Sequence, residues 1–190
     1  MRKIIVFNNI SVDGYFAGPN GEIDWFKGNK DLEYEAFTKK GASSGGTLIF
    51  GQTTYELMKG FWPTKEALKL DPDMAEVVNN SPKIVFSKSL KSVKEGPHWK
   101  NITLFSEIRP TEIIRLKMQE GKDMTILGSG MIVQQFTNFG LIDEYQLIVN
   151  PVILGAGKNM FEGVKKLKLK LLDSKTFKNG LVWLRYQPEK

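Results

Sequence analysis

The chain has 190 residues, of which 27 are Lys or Arg and 21 are Asp or Glu, so its formal net charge is +6. This length suits one ordinary domain, and we predict a single domain over residues 1–190. Hydrophobic residues make up 41% of the chain, which excludes an intrinsically disordered protein. The absence of cysteine excludes disulfide bonds, thiolate catalysis and cysteine-ligated metal sites.

The sequence carries no segment typical of membrane insertion or secretion. No run approaches the roughly 18 consecutive apolar residues of a membrane span, and the apolar run after the basic start covers only residues 4–7. We therefore expect a cytoplasmic protein with no membrane partner. His98 has no second histidine with which to hold a metal ion, so we expect no metal site.

Strand and helix patterns alternate along most of the chain. The predicted strands, rich in Ile, Val, Leu or Phe, are residues 3–9, 47–50, 83–87, 102–105, 124–127, 144–150, 168–177 and 181–187. The predicted helices are residues 31–40, 53–59, 71–79, 111–119 and 131–139. This alternation predicts an α/β fold with a mainly parallel sheet and helices on both faces. After residue 139 only strands follow, so we expect an antiparallel C-terminal hairpin that turns at Asn179-Gly180.

Lysines and leucines alternate between residues 165 and 171. This period predicts a half-buried strand with a solvated basic face. A nucleic-acid-binding surface is the alternative, but no nucleic-acid-binding motif accompanies the run. We therefore favour the solvated face and expect no nucleic-acid partner.

Three predicted strands end in segments suited to a phosphate group. Residues 124–127 run into Gly128-Ser129-Gly130 and then a helix, where glycine amides and a helix N-terminus favour an anion. Residues 47–50 lead to a glycine and two threonines that either cap the next helix or bind phosphate, and residues 83–86 lead to Ser-Lys-Ser. Each segment alone also fits an ordinary connection. Because parallel strands share one carboxyl edge, the three together predict a dinucleotide site there.

Two further carboxylates are candidates for a substrate site. Asp13 follows the first strand in Asp13-Gly14, which is either a simple turn or the mouth of the ligand crevice, where Asp13 is a proton or hydrogen-bond partner for substrate. Asp24 precedes Trp25 and Phe26, which either wall a planar ring or belong to the core.

Five segments together resemble the dihydrofolate reductase-like family, and more closely its branch containing the reductase domain of bacterial riboflavin biosynthesis. These segments are residues 11–14, 50–56, 126–130, 141–145 and 151–157. The resemblance covers nearly the entire chain. It implies a dihydrofolate reductase-like mixed sheet and transfer of a hydride from NADPH to a small planar heterocycle of pterin or pyrimidine type, with a homodimer formed through the C-terminal strands.

The resemblance also implies residue roles. The cofactor contacts that it implies are Gly51, Gln52, Thr53, Thr54, Ser87, Lys88, Gly128, Ser129, Gly130, Met131 and Ile132. Asp13 matches the acidic residue near substrate and cofactor, and Asp24, Trp25 and Glu33 are the candidate substrate contacts. Gln52 stands where an arginine is common, which leaves NADPH and NADH both open. The alternative function is a nucleotide-binding or regulatory module without turnover.

Overall fold

A computed structural model describes residues 1–26, 31–43 and 45–189. The strands are β1 Ile4–Ser11, β2 Tyr15–Ala17, β3 Thr47–Gly51, β4 Lys83–Phe86, β5 Ile102–Phe105, β6 Met124–Ile126, β7 Glu144–Asn150, β8 Lys158–Asn159, β9 Leu169–Thr176 and β10 Val182–Pro188. The α-helices are α1 Leu32–Ser43, α2 Gln52–Phe61, α3 Lys65–Leu70, α4 Pro72–Asn80, α5 Pro110–Met118 and α6 Gly130–Asn138, and Asp24–Phe26 forms one 3₁₀ turn. No helix in the described ranges has both the length and the apolar character to cross a bilayer.

Eight strands form one mixed sheet in the order β5-β4-β3-β6-β1-β7-β10-β9. The six strands from β5 to β7 pair in parallel, whereas β10 pairs antiparallel with β7 and with β9. The prediction of a mainly parallel sheet with an antiparallel C-terminal hairpin is therefore confirmed. Three short elements were not predicted: strands β2 and β8, which pair with each other, and helix α3. Each is too short to show a clear hydrophobic period in the sequence.

Helices cover both faces of the sheet, as expected. On one face, Ile113 of α5 and Phe136 of α6 pack in a core with Ile4 and Ile126. On the other face, α2 and α4 cover the β3–β4 side in a second core, and α1 covers the β7–β10 side in a third. The two faces are therefore built from different sets of helices, with β1 and β6 at the centre of the sheet.

Several boundaries differ from the predictions. Strand β1 continues to Ser11, two residues beyond the predicted end, because β7 pairs with it along its whole carboxyl half. Helix α2 begins at Gln52 with the extended residue Gly51 as its N-cap, so the alternative in which Thr53 or Thr54 caps this helix is not the one the structure has. Helix α1 passes through Gly41 to Ser43 instead of ending at the glycine.

The basic run near the C-terminus leads into the edge strand β9. The strand begins only at Leu169, and Leu171 is 50% exposed, so the leucines are less buried than the alternating pattern predicted. The reason is that β9 has a pairing partner on one side only among the described strands. A homodimer through this region stays a prediction that gel filtration tests.

Candidate functional site

A strip of half-buried side chains runs along the centre of the face that carries α1 and α2. Helix α1 packs on β10, where the Phe37 and Trp183 rings lie 5.0 Å apart, and α2 packs on β3 and β4 through Tyr55. The side chains that β1 and β6 present between these helices are only half-buried, although their neighbours on the opposite face are almost fully buried. We call this region the open groove; its floor consists of Ile5, Phe7, Asn9, Thr125 and Leu127.

Two glycine turns meet at the carboxyl edge beside the open groove. The backbone N–H of Gly51 donates to the carbonyl of Gly128 over 3.0 Å, and the Gly128–Ser129 peptide bond is cis. A Cβ atom at Gly51 would lie 2.8 Å from Ser129 Oγ and 3.1 Å from Ile132 Cγ1. A larger residue at Gly51 would therefore have to displace the Ser129 hydroxyl and press on Ile132.

Gly128 and Gly130 are also required by their surroundings. Gly128 has a φ of +126°, and a Cβ atom there would lie 2.9 Å from Thr54 Oγ1. At Gly130 a Cβ atom would collide with the Phe16 ring, so strand β2 packs directly on the start of α6. The predicted glycine turn is thus a narrow cradle between two strand ends, and Thr54 lies against it.

The two helices that begin at this edge keep free N-termini. Helix α2 and helix α6 have Gly51 and Ser129 as N-caps, and neither N-cap makes a side-chain capping bond. By contrast, Thr64 and Asp71 cap α3 and α4 with their side chains. Helix α5 also lacks a side-chain cap, but Pro110 in its first turn removes one N–H. Uncapped first turns present backbone N–H groups that attract an anion.

The first turn of α6 gives its two predicted contact residues different surroundings. Met131 is 65% exposed beside the edge, whereas Ile132 is buried in the core and its N–H donates to the Ser129 carbonyl. Met131 is therefore accessible to a ligand. Ile132 supports the turn from beneath, against Gly51.

A hydroxyl network connects the next strand end to α2. The hydroxyls of Ser87 and Ser89 both donate to Gln52 Oε1, over 2.5 and 2.6 Å, and Gln52 Nε2 donates to Glu56 over 2.9 Å. The Ser87 oxygen also accepts the N–H of Leu90 over 3.0 Å. Lys88, between the two serines, is exposed. The structure thus joins the predicted residues Gln52 and Ser87 directly and leaves Lys88 as an accessible cation beside them.

Asp13 is held by its own neighbourhood. Ser11 Oγ donates to its carboxylate over 2.6 Å, and the N–H groups of Leu154 and Gly155 donate over 3.2 and 2.8 Å. These hydrogen bonds, that from Ser11 first, hold the pKa of Asp13 below its ordinary value. The carboxylate therefore stays ionised near neutral pH and fastens the turn after β1 to the loop after β7, so the surroundings do not favour a proton donor.

The structure does not bring the three predicted substrate contacts to the open groove. Glu33 Oε1 pairs with Lys175 Nζ over 2.8 Å, and Lys175 belongs to β9, three strands and roughly 14 Å from β1. Trp25 donates from its ring nitrogen to the Glu22 carbonyl over 3.2 Å, and Asp24 is exposed. No described contact joins Asp24 or Trp25 to the glycine turns.

Sequence reasoning missed the polar residues at the ends of β1 and β7. Asn8 Nδ2 donates to the Ile126 carbonyl over 3.1 Å, and Asn9, on the face that carries α1 and α2, accepts from Asn150 Nδ2 over 3.1 Å. Asparagine is unfavourable in strands. Two asparagines in succession at the end of an apolar strand could therefore have indicated a functional position.

A depression of about 370 Å³ lies at the opposite, amino ends of the strands. Arg2, Thr47 and Lys122 are among its lining residues, and none of the glycine turns reaches it. Arg2 donates to Thr47 Oγ1 and to the Lys122 carbonyl, each over 2.5 Å. These bonds close the bottom of the sheet, and the depression is separate from the carboxyl edge.

The fold and this edge define a reductase-like α/β domain of the dihydrofolate reductase type. The family model of the RibD C-terminal domain matches residues 2–183, and the chain belongs to this family. It is 29% identical to the uncharacterized protein YyaP of Bacillus subtilis (strain 168), over 97% of this chain and 94% of YyaP.

Solved structures show the same fold. A putative riboflavin biosynthesis protein from Shewanella sp. PV-4 matches with a TM-score of 0.73 and 23% identity, over 99% of both chains. The diaminohydroxyphosphoribosylaminopyrimidine deaminase/5-amino-6-(5-phosphoribosylamino)uracil reductase of Thermotoga maritima matches with a TM-score of 0.66 and 15% identity, over 99% of this chain and 57% of that one. The family prediction made from sequence motifs is thus confirmed.

Proposed function

We propose that the protein is an NADPH-dependent reductase that transfers a hydride to a small planar heterocycle of pyrimidine or pterin type. The observation that carries this proposal is the pair of glycine turns, each leading into a helix with an uncapped N-terminus, beside the open groove. Membership in the RibD C-terminal domain family supports the reaction class. The name of the Thermotoga neighbour, which includes a uracil reductase, supports a pyrimidine-like ring.

The glycine cradle fits a dinucleotide. The first turns of α2 and α6 have no side-chain cap, so their backbone N–H groups would be the donors to a diphosphate. Thr53 and Thr54 in the first turn of α2 would hold the adenosine-side phosphate, and Ser87 with Lys88 would hold the adenosine ribose and its 2′-phosphate. Gly128, Ser129, Gly130 and Met131 would hold the diphosphate and the nicotinamide side.

The chain's own part in the reaction is to orient the cofactor and the substrate ring. When bound, the nicotinamide supplies the hydride for a two-electron reduction. Phe7 and Leu127 on the floor of the open groove offer apolar contact to a planar ring, and α1 and α2 limit its lateral movement. Since Asp13 is held ionised, we assign the proton that accompanies the hydride to water in the groove.

Cofactor binding tests the site directly. NADPH titrated into the protein is followed by nicotinamide fluorescence, and we expect a saturable change. Gly51→Ala should weaken binding at least tenfold, because the added Cβ would displace the Ser129 hydroxyl and press on Ile132 in the turn after β6. Gly60→Ala, in α2 where a Cβ would meet nothing within 4 Å, is the matched control and should bind like the parent protein. No fluorescence change up to millimolar NADPH would refute the proposed function.

Turnover separates the reductase from the alternative. NADPH oxidation, measured by absorbance with a panel of pterins, pyrimidines and quinones, should occur with at least one ring compound. Binding without oxidation of NADPH by any of them identifies a nucleotide-binding or regulatory module instead. Repeating the measurement with NADH decides between the two cofactors.

A further inference from the structure

The depression at the amino ends of the strands has the size and lining of a small-molecule site. Its volume is about 370 Å³. Small-molecule sites in proteins have volumes of roughly 300 to 1,000 Å³ and are lined mainly by apolar side chains with a few polar groups. Three apolar side chains at the edge of the core beneath α5 line this one: Ile84, Phe105 and Leu116. A ligand here would therefore pack an apolar body against the sheet.

Two glycine turns and the end of α5 fix the walls of the depression. Gly46, before β3, has a φ of +142°, and a Cβ atom there would collide with the Asp123 carbonyl. Gly121 has a φ of +137°, and a Cβ atom there would lie 3.5 Å from Arg2 Nε. The backbone N–H of Arg2 donates to the Lys117 carbonyl over 2.8 Å. The fold itself therefore forms the depression and holds Arg2 at its side.

Arg2 is a half-buried cation without a counter-ion. Its Nε and Nη2 donate to neutral oxygens, the Lys122 carbonyl and the Thr47 hydroxyl, and no ion pair of the described residues includes it. Burial lowers the pKa of Arg2, and the charge of Asp123 opposes this only in part. Asp123 Oδ1 accepts the N–H of Lys3 over 2.7 Å instead. An anion in the depression would therefore meet an unpaired guanidinium.

Thr47 adds a second donor beside this guanidinium. It lines the depression and is only 6% exposed. Because a guanidinium can only donate, the Thr47 oxygen accepts from Arg2 and its O–H is left to donate, with no acceptor among the described residues. An arginine N–H and a neighbouring O–H match the two oxygens of a carboxylate. A phosphate has more charge and more oxygens to satisfy than these two groups supply.

The other charged groups of the lining leave this edge positive. Lys122 makes no ion pair with a described residue, and Glu120, the one carboxylate in the lining, is exposed. Lys83 donates its ammonium to three backbone carbonyls. The partial negative charge at the end of α5 is reduced because the Leu116 carbonyl accepts the N–H of Gln119 over 3.3 Å.

We propose that this depression is a second ligand-binding site, which takes a small carboxylate with an aromatic body. The carboxylate accepts from Arg2 and Thr47, and the ring packs on Ile84, Phe105 and Leu116. The proposal does not rest on the proposed function, because the depression lies at the end of the sheet opposite to the glycine turns. It predicts that binding needs both the negative charge and the ring.

The test uses 2-naphthoate as the aromatic carboxylate, with 2-naphthamide as its neutral counterpart and acetate as the charge without the ring. Calorimetry on the full chain should show saturable 2-naphthoate binding, and both other compounds should bind roughly tenfold more weakly or less. Arg2→Met should weaken 2-naphthoate binding by roughly tenfold or more, since it removes the charged donor. Arg115→Met is the matched control, because Arg115 is exposed on α5 outside the depression.

A second pair of variants tests the location without touching Arg2. Thr103, exposed on edge strand β5, lines the depression, so Thr103→Trp should fill it and abolish 2-naphthoate binding. Thr176→Trp, exposed on the other edge strand β9, should bind like the parent protein. Glu120→Gln should tighten binding, because it removes the carboxylate from the lining. NADPH titration of Thr103→Trp should match the parent protein.

Four outcomes would overturn the proposal. These are no saturable 2-naphthoate binding up to millimolar concentration, equal binding of 2-naphthamide, normal binding by Thr103→Trp, and normal binding by Arg2→Met that circular dichroism shows to be folded. If Arg2→Met does not fold, Thr103→Trp decides alone. Competition between 2-naphthoate and NADPH would place the carboxylate at the carboxyl edge and would also overturn the proposal. Failure of NADPH to bind contradicts only the proposed function.

Discussion

The two faces of strand β1 have different uses. Toward α5 and α6, Ile4 and Val6 are fully buried, and even Asn8 is buried with its amide bonded to Ile126. Toward α1 and α2, Ile5, Phe7 and Asn9 are only half-buried. One face of the same strand therefore stabilises the domain, and the other forms the floor of a binding site. The difference arises because the helices of the open face pack over the outer strands and leave the central pair between them.

The largest difference in stability is expected when one isoleucine is truncated on each face of β1. Ile4→Ala leaves a cavity in the closed core and should lower the free energy of unfolding by about 3 kcal/mol. Ile5→Ala is the matched variant one residue along and should lower it by only about 1 kcal/mol, because its side chain is already partly in water. Urea unfolding measures both, and equal losses would contradict the assignment of an open face.

A second test lies at Lys83 of β4, on the part of the same sheet face that α2 and α4 cover. Its ammonium is buried, lies 4.4 Å above the Trp99 ring and donates to the carbonyls of Asn79, Ser81 and Lys100 over 2.9, 2.7 and 3.2 Å. Burial lowers the pKa of Lys83 to about 8 from an ordinary value of 10.5.

The sign of the resulting pH dependence follows from this shift. Between pH 8 and 10.5 the unfolded chain keeps the Lys83 proton and the folded chain releases it, so stability should rise with pH by roughly 2 to 3 kcal/mol. The gain is lost again as the pH falls through about 8. Urea unfolding at several pH values should show this rise in the parent protein and in Lys91→Met, an exposed control, but not in Lys83→Met. A rise that persists in Lys83→Met would assign it to other groups.

The first turns of α2 and α3 should respond differently to loss of a threonine, because only α3 has a side-chain cap. Thr64 Oγ1 accepts the N–H of Ala67 over 3.2 Å and caps α3, so Thr64→Ala should destabilise the protein by about 1 kcal/mol. Thr53 lies inside α2, which has no side-chain cap, so Thr53→Ala should change stability by less than about 0.5 kcal/mol. Thermal unfolding distinguishes them. A large loss from Thr53→Ala would show that the N-terminus of α2 is capped after all.

The smallest global effect is expected at Asp13. Asp13→Asn removes an acceptor for the N–H groups of Leu154 and Gly155, whose hydrogen exchange at neutral pH should quicken by at least tenfold. Because its pKa is lowered, the parent carboxylate keeps these bonds above about pH 3.8 and loses them as the pH falls through the lowered value. Asp173→Asn, at an exposed carboxylate that accepts the N–H of Ser174 and lies near Arg185, is the control. Unchanged exchange at residues 154 and 155 would separate Asp13 from the loop after β7.

Much of the fold could be predicted from residues that are close together in the sequence. The apolar runs of β3 and β4 predicted their strands, because each is buried and dense in branched residues. Asp71 and Pro72 predicted the start of α4, and Gly140, with a φ of +64°, ends α6 as expected. The glycines of the carboxyl edge were also found, since only glycine tolerates that close approach of two turns.

What the substrate side of the site looks like was decided by tertiary structure. Glu33 and Tyr34 are adjacent in sequence, and nothing in their order shows that the Tyr34 ring packs on Phe177 while Glu33 pairs with Lys175 on β9. The attachment of Asp13 to the loop after β7 likewise depends on an amide 142 residues away in the chain. Sequence by itself determined most of the strands and helices and the two glycine turns, because these depend on neighbours within a few residues. The open groove and its polar edge depend on which helix covers which strand, and only long-range packing sets that.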